Sequence, residues 1–223
     1  MLFKDRSDAG KQLSQELVKF KKDKPVVLSL ARGGVPVGFE VAKELDSQLD
    51  VIVVRKLGFP LFKELGFGAI APNNVTVLNN GMVNYFGLDN SQIEMIKSEE
   101  EIELLRRLHN YRGNNKMTDL KNKTAIIVDD GVATGITAKA AIKYAKSFKP
   151  KKIIMAAPVC AVESINDIKT EVHEVIYLAA PLDFQSVSQW YDNFPQVTDE
   201  DVIRLLRGSN SYTLYSPERL LSI

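Results

Sequence analysis

A chain of 223 residues, 45% apolar and 26% charged, has the composition of an ordinary globular protein and the length of one large domain, with or without an appendage. A formal net charge of +1 gives no sign of a broad cationic surface, so neither nucleic acid nor membrane is expected among the partners and any cationic site must be local. Two histidines and one cysteine argue against a zinc site, and no apolar stretch approaches the roughly 20 residues that cross a bilayer. Cys160 cannot form an internal disulfide and reads as a buried bystander. The opening Met1-Leu2-Phe3-Lys4-Asp5-Arg6 lacks the apolar core of a signal peptide, so the expectation is a soluble, cytoplasmic protein.

Ala9, Leu13, Leu17 and Phe20 share one face of an opening amphipathic helix. Val26–Leu30 reads as a buried strand, Arg32-Gly33-Gly34 as the turn after it, and Val37, Val41, Ala42 and Leu45 as the face of a second helix. Val51–Val54 is the next strand, ending at Arg55-Lys56. Leu57–Pro72 is rich in glycine and aromatics without a clear period and reads as a long loop. A β-hairpin is expected from Val75–Leu78 and Met82-Val83, turning at Asn79-Asn80-Gly81. A long helix from about Asp89 to Asn110 follows, with Asp89 and Gln92 spaced as a capping box. Glu99, Glu100, Glu101 and Glu103 precede Arg106, Arg107 and Arg112, a polarity that complements the helix dipole and reads as a solvated face.

The most informative stretch comes next. Ala125–Val128 has the length and branching of a buried strand, and Asp129-Asp130-Gly131-Val132-Ala133-Thr134-Gly135-Ile136-Thr137 leads from it into a helix face of Ala138, Ala141, Ala145 and Phe148. Two carboxylates therefore stand at the C-terminal end of a strand, where open α/β sheets bind ligands. The Gly/Thr-rich turn behind them opens a helix whose free N–H groups suit a phosphate. Paired acids are wrong for phosphate but right for vicinal hydroxyls or a metal ion, and a sugar phosphate with free hydroxyls needs both kinds of group. Strands at Ile153–Ala157 and Val175–Leu178, a helix near Glu163–Lys169 and a final helix from Thr198 to Arg207, capped by Thr198 and Asp201, complete the order. Strands alternating with helices imply an α/β fold with a mostly parallel sheet covered on both faces. The economical division is one domain over residues 1–208, with an insertion at about 73–115 and a C-terminal tail at 209–223.

The apolar run, the two acids and the Thr-Gly turn resemble the signature of the type I phosphoribosyltransferases. That resemblance implies a parallel-sheet core with a small hood. It also implies transfer of the ribosyl 5-phosphate group from phosphoribosyl pyrophosphate to a nucleobase or related nitrogen acceptor, with release of pyrophosphate, in nucleotide metabolism. Asp129 and Asp130 would hold the ribose hydroxyls and stabilise the cationic transition state, and Gly131, Val132, Ala133, Thr134, Gly135, Ile136 and Thr137 would form the phosphate loop. Arg32, Gly33 and Gly34 would bind pyrophosphate, as would Arg55 and above all Lys56, whose compact ammonium suits a changing polyphosphate. Mg2+ is the implied cofactor, held mainly through substrate oxygens. Leu57–Ala71 resembles the catalytic loop that closes over the reaction; Glu64, Gly66 and Gly68 lie in it without individual roles. Pro181-Leu182-Asp183-Phe184, with Trp190 and Tyr191, would build the hood, although core aromatics are the simpler reading of those rings. Some purine-specific relatives carry an acid at the position of Ala133, which removes one candidate base here. The alternative is a non-catalytic regulator on the same fold that binds a nucleotide or phosphoribosyl pyrophosphate. No Gly-x-x-x-x-Gly-Lys-Ser/Thr string and no Gly-x-Ser-x-Gly elbow occurs. The acceptor base, and a homodimer through helix 89–110, stay open.

Overall fold

The computed structural model describes residues 3–59, 65–113 and 116–214. Helix α1 (Arg6–Leu17) leads through a 3-10 turn into β1 (Val26–Ala31), α2 (Gly34–Leu45) and β2 (Gln48–Val53). Strands β3 (Arg55–Gly58), β4 (Gly66–Ala71) and β5 (Val75–Leu78) follow, then α3 (Asn80–Phe86) and α4 (Asn90–Arg112). The second half alternates: β6 (Thr124–Val128), α5 (Ile136–Lys146), β7 (Lys152–Val159), α6 (Val162–Ile168), β8 (Glu174–Ala179) and α7 (Asp199–Leu214).

Five strands form a parallel sheet in the order β2-β1-β6-β7-β8. Alternation within each strand divides the core. Val27 of β1, Val51 and Val53 of β2, Ile126 and Val128 of β6 and Ile154 of β7 pack with Leu13 and Leu17 of α1, Val37 and Val41 of α2 and Val202 and Leu206 of α7. Their neighbours Val26, Leu28, Ile52, Ala125, Ile127, Ile153 and Met155 pack on the other face against Ala138, Ala141 and Ala145 of α5. Strands β1, β2, β6 and β7 are thus buried on both sides, as a parallel sheet requires, while the edge strand β8 is only partly covered. An α/β fold with helices on both faces is what the sequence leads one to expect.

Two expectations for residues 57–83 need correction. Leu57–Pro72 is not one aperiodic loop: β3 and β4 pair antiparallel, with Lys56 opposite Ala69 and Leu57 opposite Gly68, and β5 adds to β4. The alternation is carried partly by glycine, where a neighbour fills the space a side chain would take; the Lys56 stem lies over Gly66, 2.2 Å from where a Cβ would stand. Glu64 lies outside the described residues. Met82-Val83 is not the partner of Val75–Leu78. Asn79 instead caps α3, its Oδ1 accepting the Met82 N–H at 3.1 Å, so the Asn-Asn-Gly signal marks a helix start.

The acidic and basic run of α4 is more than a solvated face. The Asp89/Gln92 capping box is present, but Arg55 pairs with Glu100 at 2.6 Å, Arg106 with Asp199 at 2.9 Å and Arg112 with Asp50 at 3.0 Å. These pairs strap α4 to β3, α7 and β2. Thr198 and Asp201 cap α7 reciprocally, and the helix continues past Arg207, so the segment from Ser209 is helical as far as Leu214.

Candidate functional site

Strands β1 and β6 are neighbours, with Ser29 level with Val128, so the turns that leave them stand side by side. The contact is unusually close. A Cβ on Gly33 would lie 2.1 Å from Asp130 Oδ2, and one on Gly34 would lie 2.6 Å from the Val128 carbonyl oxygen. Gly33 has ordinary right-handed geometry (φ −57°, ψ −35°), so proximity rather than conformation demands glycine there. Val187 approaches the acid turn from the other side, its methyls within 2.7 Å of a Cβ position on Gly131.

Asp129 and Asp130 sit at the rim of the sheet with most of their side chains out of water. Asp129 Oδ1 accepts the Asp130 N–H at 2.9 Å, and Asp130 Oδ2 accepts from Arg6 Nε at 2.7 Å. Tyr191 donates its hydroxyl to the Asp130 carbonyl at 2.5 Å. Burial pushes the Asp129 carboxyl well above the usual carboxylate range, and the adjacent Asp130 charge pushes the same way. Burial also raises Asp130, but the Arg6 guanidinium opposes it. Cys160, next to this pair at the end of β7, is raised to about 12 by burial and the Asp129 charge. It is an inert thiol, as its apolar setting suggests.

Behind the acids, Ala133 and Thr134 are exposed, and Gly135 takes the left-handed conformation (φ +71°) from which α5 starts. The Ser164 hydroxyl donates to the Ala133 carbonyl, and Val132 is pinned to Val159 and Ala161 by backbone hydrogen bonds. The first N–H groups of α5 thus open onto an accessible, rigidly mounted loop suited to an anion. Thr137 is in the first turn of that helix.

Arg32 stands beside the acids in the turn after β1, yet its guanidinium reaches Asp199 Oδ1 at 3.6 Å. Asp199 also accepts from Tyr111 Oη at 2.6 Å and Arg106 Nη2 at 2.9 Å. Burial would raise that carboxyl, but these two hydrogen bonds hold it below the usual range. Arg55 and Lys56 belong to the second sheet, in β3, rather than to the end of β2; Arg55 is committed to Glu100. The structure therefore brings together Arg32, Gly33, Gly34, Asp129, Asp130 and the loop from Gly131 to Thr137, and sets Arg55 apart.

Of the expected hood, Leu182 and Asp183 are exposed, while Tyr191 is buried between Phe3 and Phe194 at ring distances of 5.4 and 4.8 Å. These rings close over Val159 at the end of β7 as core aromatics. Arg6, Tyr191 and Asp199 were not singled out by sequence for these contacts. Arg6 carried one usable signal: it precedes Ala9 and Leu13 by one and two turns on the buried face of α1, where an arginine is out of place. Among the described residues no group of three or more His, Cys, Asp or Glu is placed to hold a metal ion. No helix among them is long and apolar enough to cross a membrane.

Residues 4–185 match the profile of the phosphoribosyl transferase domain. A protein of Mycobacterium tuberculosis H37Rv, provisionally named a phosphoribosyl transferase, is 44% identical over 205 residues. The match covers 92% of this chain but 46% of that protein, so the chain spans about half the length of this relative. The uracil phosphoribosyltransferase of Malacoplasma penetrans is 23% identical over 200 residues, 85% of this chain and 88% of its own. Among solved structures, TT1426 from Thermus thermophilus superposes with a TM-score of 0.76 at 37% identity, covering 92% of this chain and 98% of that one.

Proposed function

Because the chain belongs to the phosphoribosyl transferase family, we propose that it moves the ribosyl 5-phosphate group of phosphoribosyl pyrophosphate to a nucleobase or related nitrogen acceptor, releasing pyrophosphate. The contact of Gly33 with Asp130 carries this reading. In that substrate the diphosphate leaves from the carbon next to the one bearing the 2-hydroxyl. A site for it must set an anion-binding turn against its hydroxyl-binding acids, and a second anion site about a ribose width away. The contact of the two turns, with α5 opening behind the acid turn, supports this reading.

Asp129 and Asp130 accept from the ribose hydroxyls and place negative charge beside an anomeric carbon that turns cationic as its bond to the diphosphate oxygen breaks. The N–H groups opening α5, with the hydroxyls of Thr134 and Thr137, hold the 5-phosphate. The backbone of Gly33 and Gly34 holds the leaving diphosphate, joined by Arg32 once it turns from Asp199, and by Lys56. Magnesium, when bound, would be carried mainly on the substrate's own oxygens and would supply neutralisation of leaving-group charge. Holding the sugar at both phosphates aligns the anomeric carbon with the acceptor nitrogen. Position 133 is alanine, so the acceptor's proton is not taken there.

The test is pyrophosphate release from phosphoribosyl pyrophosphate with magnesium across purine and pyrimidine bases. Release that depends on one base and is lost in Asp129→Asn/Asp130→Asn is the expected result. Unchanged turnover in that double variant would overturn the assignment of the acids. Binding of phosphoribosyl pyrophosphate without release against any base would overturn catalysis and favour a regulator.

A further inference from the structure

Arg6 lies on the core-facing side of α1 with a side chain only 10% exposed, and three groups fix its guanidinium. Nε donates to Asp130 Oδ2 at 2.7 Å, Nη1 donates to the Pro195 carbonyl at 2.7 Å, and Cζ stands 3.6 Å from the centre of the Phe194 ring. Arginine is almost never this buried unless paired. A planar fork held by a carboxylate, a carbonyl and a ring face has one orientation open to it.

The mechanism above makes no use of this residue, yet it needs Asp130 as a carboxylate. Burial works against that form. Asp130 is faced by Asp129 from its own turn, whose side-chain hydrogen bond favours the Asp130 carboxylate, and by the Tyr191 phenol from the segment before α7, and Cys160 lies beyond Asp129. From the turn after β1, Gly33 approaches Asp130. Arg32, next to Gly33 in that turn, is drawn to Asp199. Arg6, supplied by α1, is the positive group in contact.

We infer that Arg6 is a positioning residue for the acid pair: it keeps Asp130 ionised and occupies Oδ2, so that Oδ1 is the oxygen left to accept from a ribose hydroxyl. Phe194 and Pro195 hold the far side of the guanidinium and so set where the carboxylate points. The inference rests on the phosphoribosyl reading of the site.

Its test uses Arg6→Gln and Arg6→Lys in the whole chain. Asp130 is followed by carboxyl 13C NMR on aspartate-labelled protein, its signal assigned with Asp130→Asn, and ribose 5-phosphate binding is measured by calorimetry. In Arg6→Gln, Asp130 should titrate at higher pH than in the parent, and sugar affinity should fall ~10-fold or more at mildly acidic pH. The acid limb of the transfer rate should move to higher pH with it, because the carboxylate is the working form. Arg6→Lys keeps the charge but loses the fork; its Asp130 should titrate near the parent while sugar affinity still falls several-fold. An unmoved titration and unchanged affinity in Arg6→Gln, with transfer intact in the parent, overturn this inference alone. If Arg6→Gln does not fold, parental affinity in Arg6→Lys overturns it. A parent that neither binds sugar phosphate nor releases pyrophosphate, with Asp130 still responding to Arg6, removes the transferase reading and reduces the contact to a structural ion pair.

Discussion

Adding one methyl group at Gly33 should separate activity from stability. The new Cβ would stand 2.1 Å from Asp130 Oδ2 and 2.7 Å from its Cγ. Ordinary contact begins near 3.4 Å, so the acid or the turn must move by more than 1 Å. Gly33 already has helical dihedrals, so alanine loses nothing in backbone energy and gains a few tenths to ~1 kcal/mol through the unfolded chain. Displacing a carboxylate end against Arg6 costs at the low end of overpacking, ~1 kcal/mol, and the net change in stability should be near zero. Displacement of a reacting group by 1 Å costs about 10²-fold, equivalent to ~2.7 kcal/mol of barrier. Gly34→Ala is the counterpart. Its Cβ meets the Val128 carbonyl oxygen at 2.6 Å and Asp129 Cα at 2.9 Å, backbone atoms that cannot swing aside, so it should lose ~3 kcal/mol of stability. Urea denaturation and coupled pyrophosphate release on both variants decide the matter. Parental turnover in Gly33→Ala, or equal destabilisation by the two substitutions, would refute the argument that Gly33 is there for Asp130.

Asp129→Asn should be more stable than the parent at neutral pH. Its carboxyl is raised in the folded state, so the parent loses stability as pH climbs from the ordinary carboxylate value through the folded one. The gap in urea midpoint should therefore widen from acid to neutral pH; a constant gap would contradict the shift. Asp50→Ala strands Arg112, whose side chain is 8% exposed, and should cost 3–5 kcal/mol by denaturation, whereas loss of an exposed pair would cost under ~1. Tyr111→Phe removes a 2.6 Å hydrogen bond to Asp199 and should cost about 1.5 kcal/mol; Asp199→Asn should loosen Arg32 and alter pyrophosphate affinity several-fold by calorimetry while leaving ribose 5-phosphate binding in place.

What the sequence made legible is what is local. Val26–Leu30, Ile126–Val128 and Ile153–Ala157 are strands because β-branched runs of that length have few alternatives, and the Asp89 and Thr198 caps are completed within three residues. The acid pair and the Gly135 turn were visible for the same reason. Strands β3 and β4 were hidden because glycine carries part of their alternation, and the side chains that fill the gaps, Lys56 and Leu78, come from neighbouring strands. Asn79-Asn80-Gly81 suits a hairpin turn or a helix start equally; the choice fell with the pairing of Val77 to Ala69 upstream. Arg55 looked like a free cation at a strand end because Glu100, its partner, lies 45 residues further on. Asp199 meets Tyr111 across 88 residues, a separation over which no spacing rule operates.

Phe3, Arg6 and Tyr191 also give the molecule an order of assembly. The backbone of Phe3 pairs with Trp190 and Asp192, Arg6 reaches Asp130 across 124 residues and Pro195 across 189. Closing such long loops is slow, and chains made at the ribosome fold from the front. The five-strand sheet has all its strands once Ala179 has emerged, but Phe3 and Arg6 lack their contacts to Trp190, Tyr191, Phe194 and Pro195 until residues 190–195 follow. A nascent chain halted before residue 190 would carry Arg6 and the two acids but lack the Phe194 ring and the Pro195 carbonyl that fix the guanidinium, so full ligand binding should be acquired only after residues 190–195 emerge, later than the sheet itself.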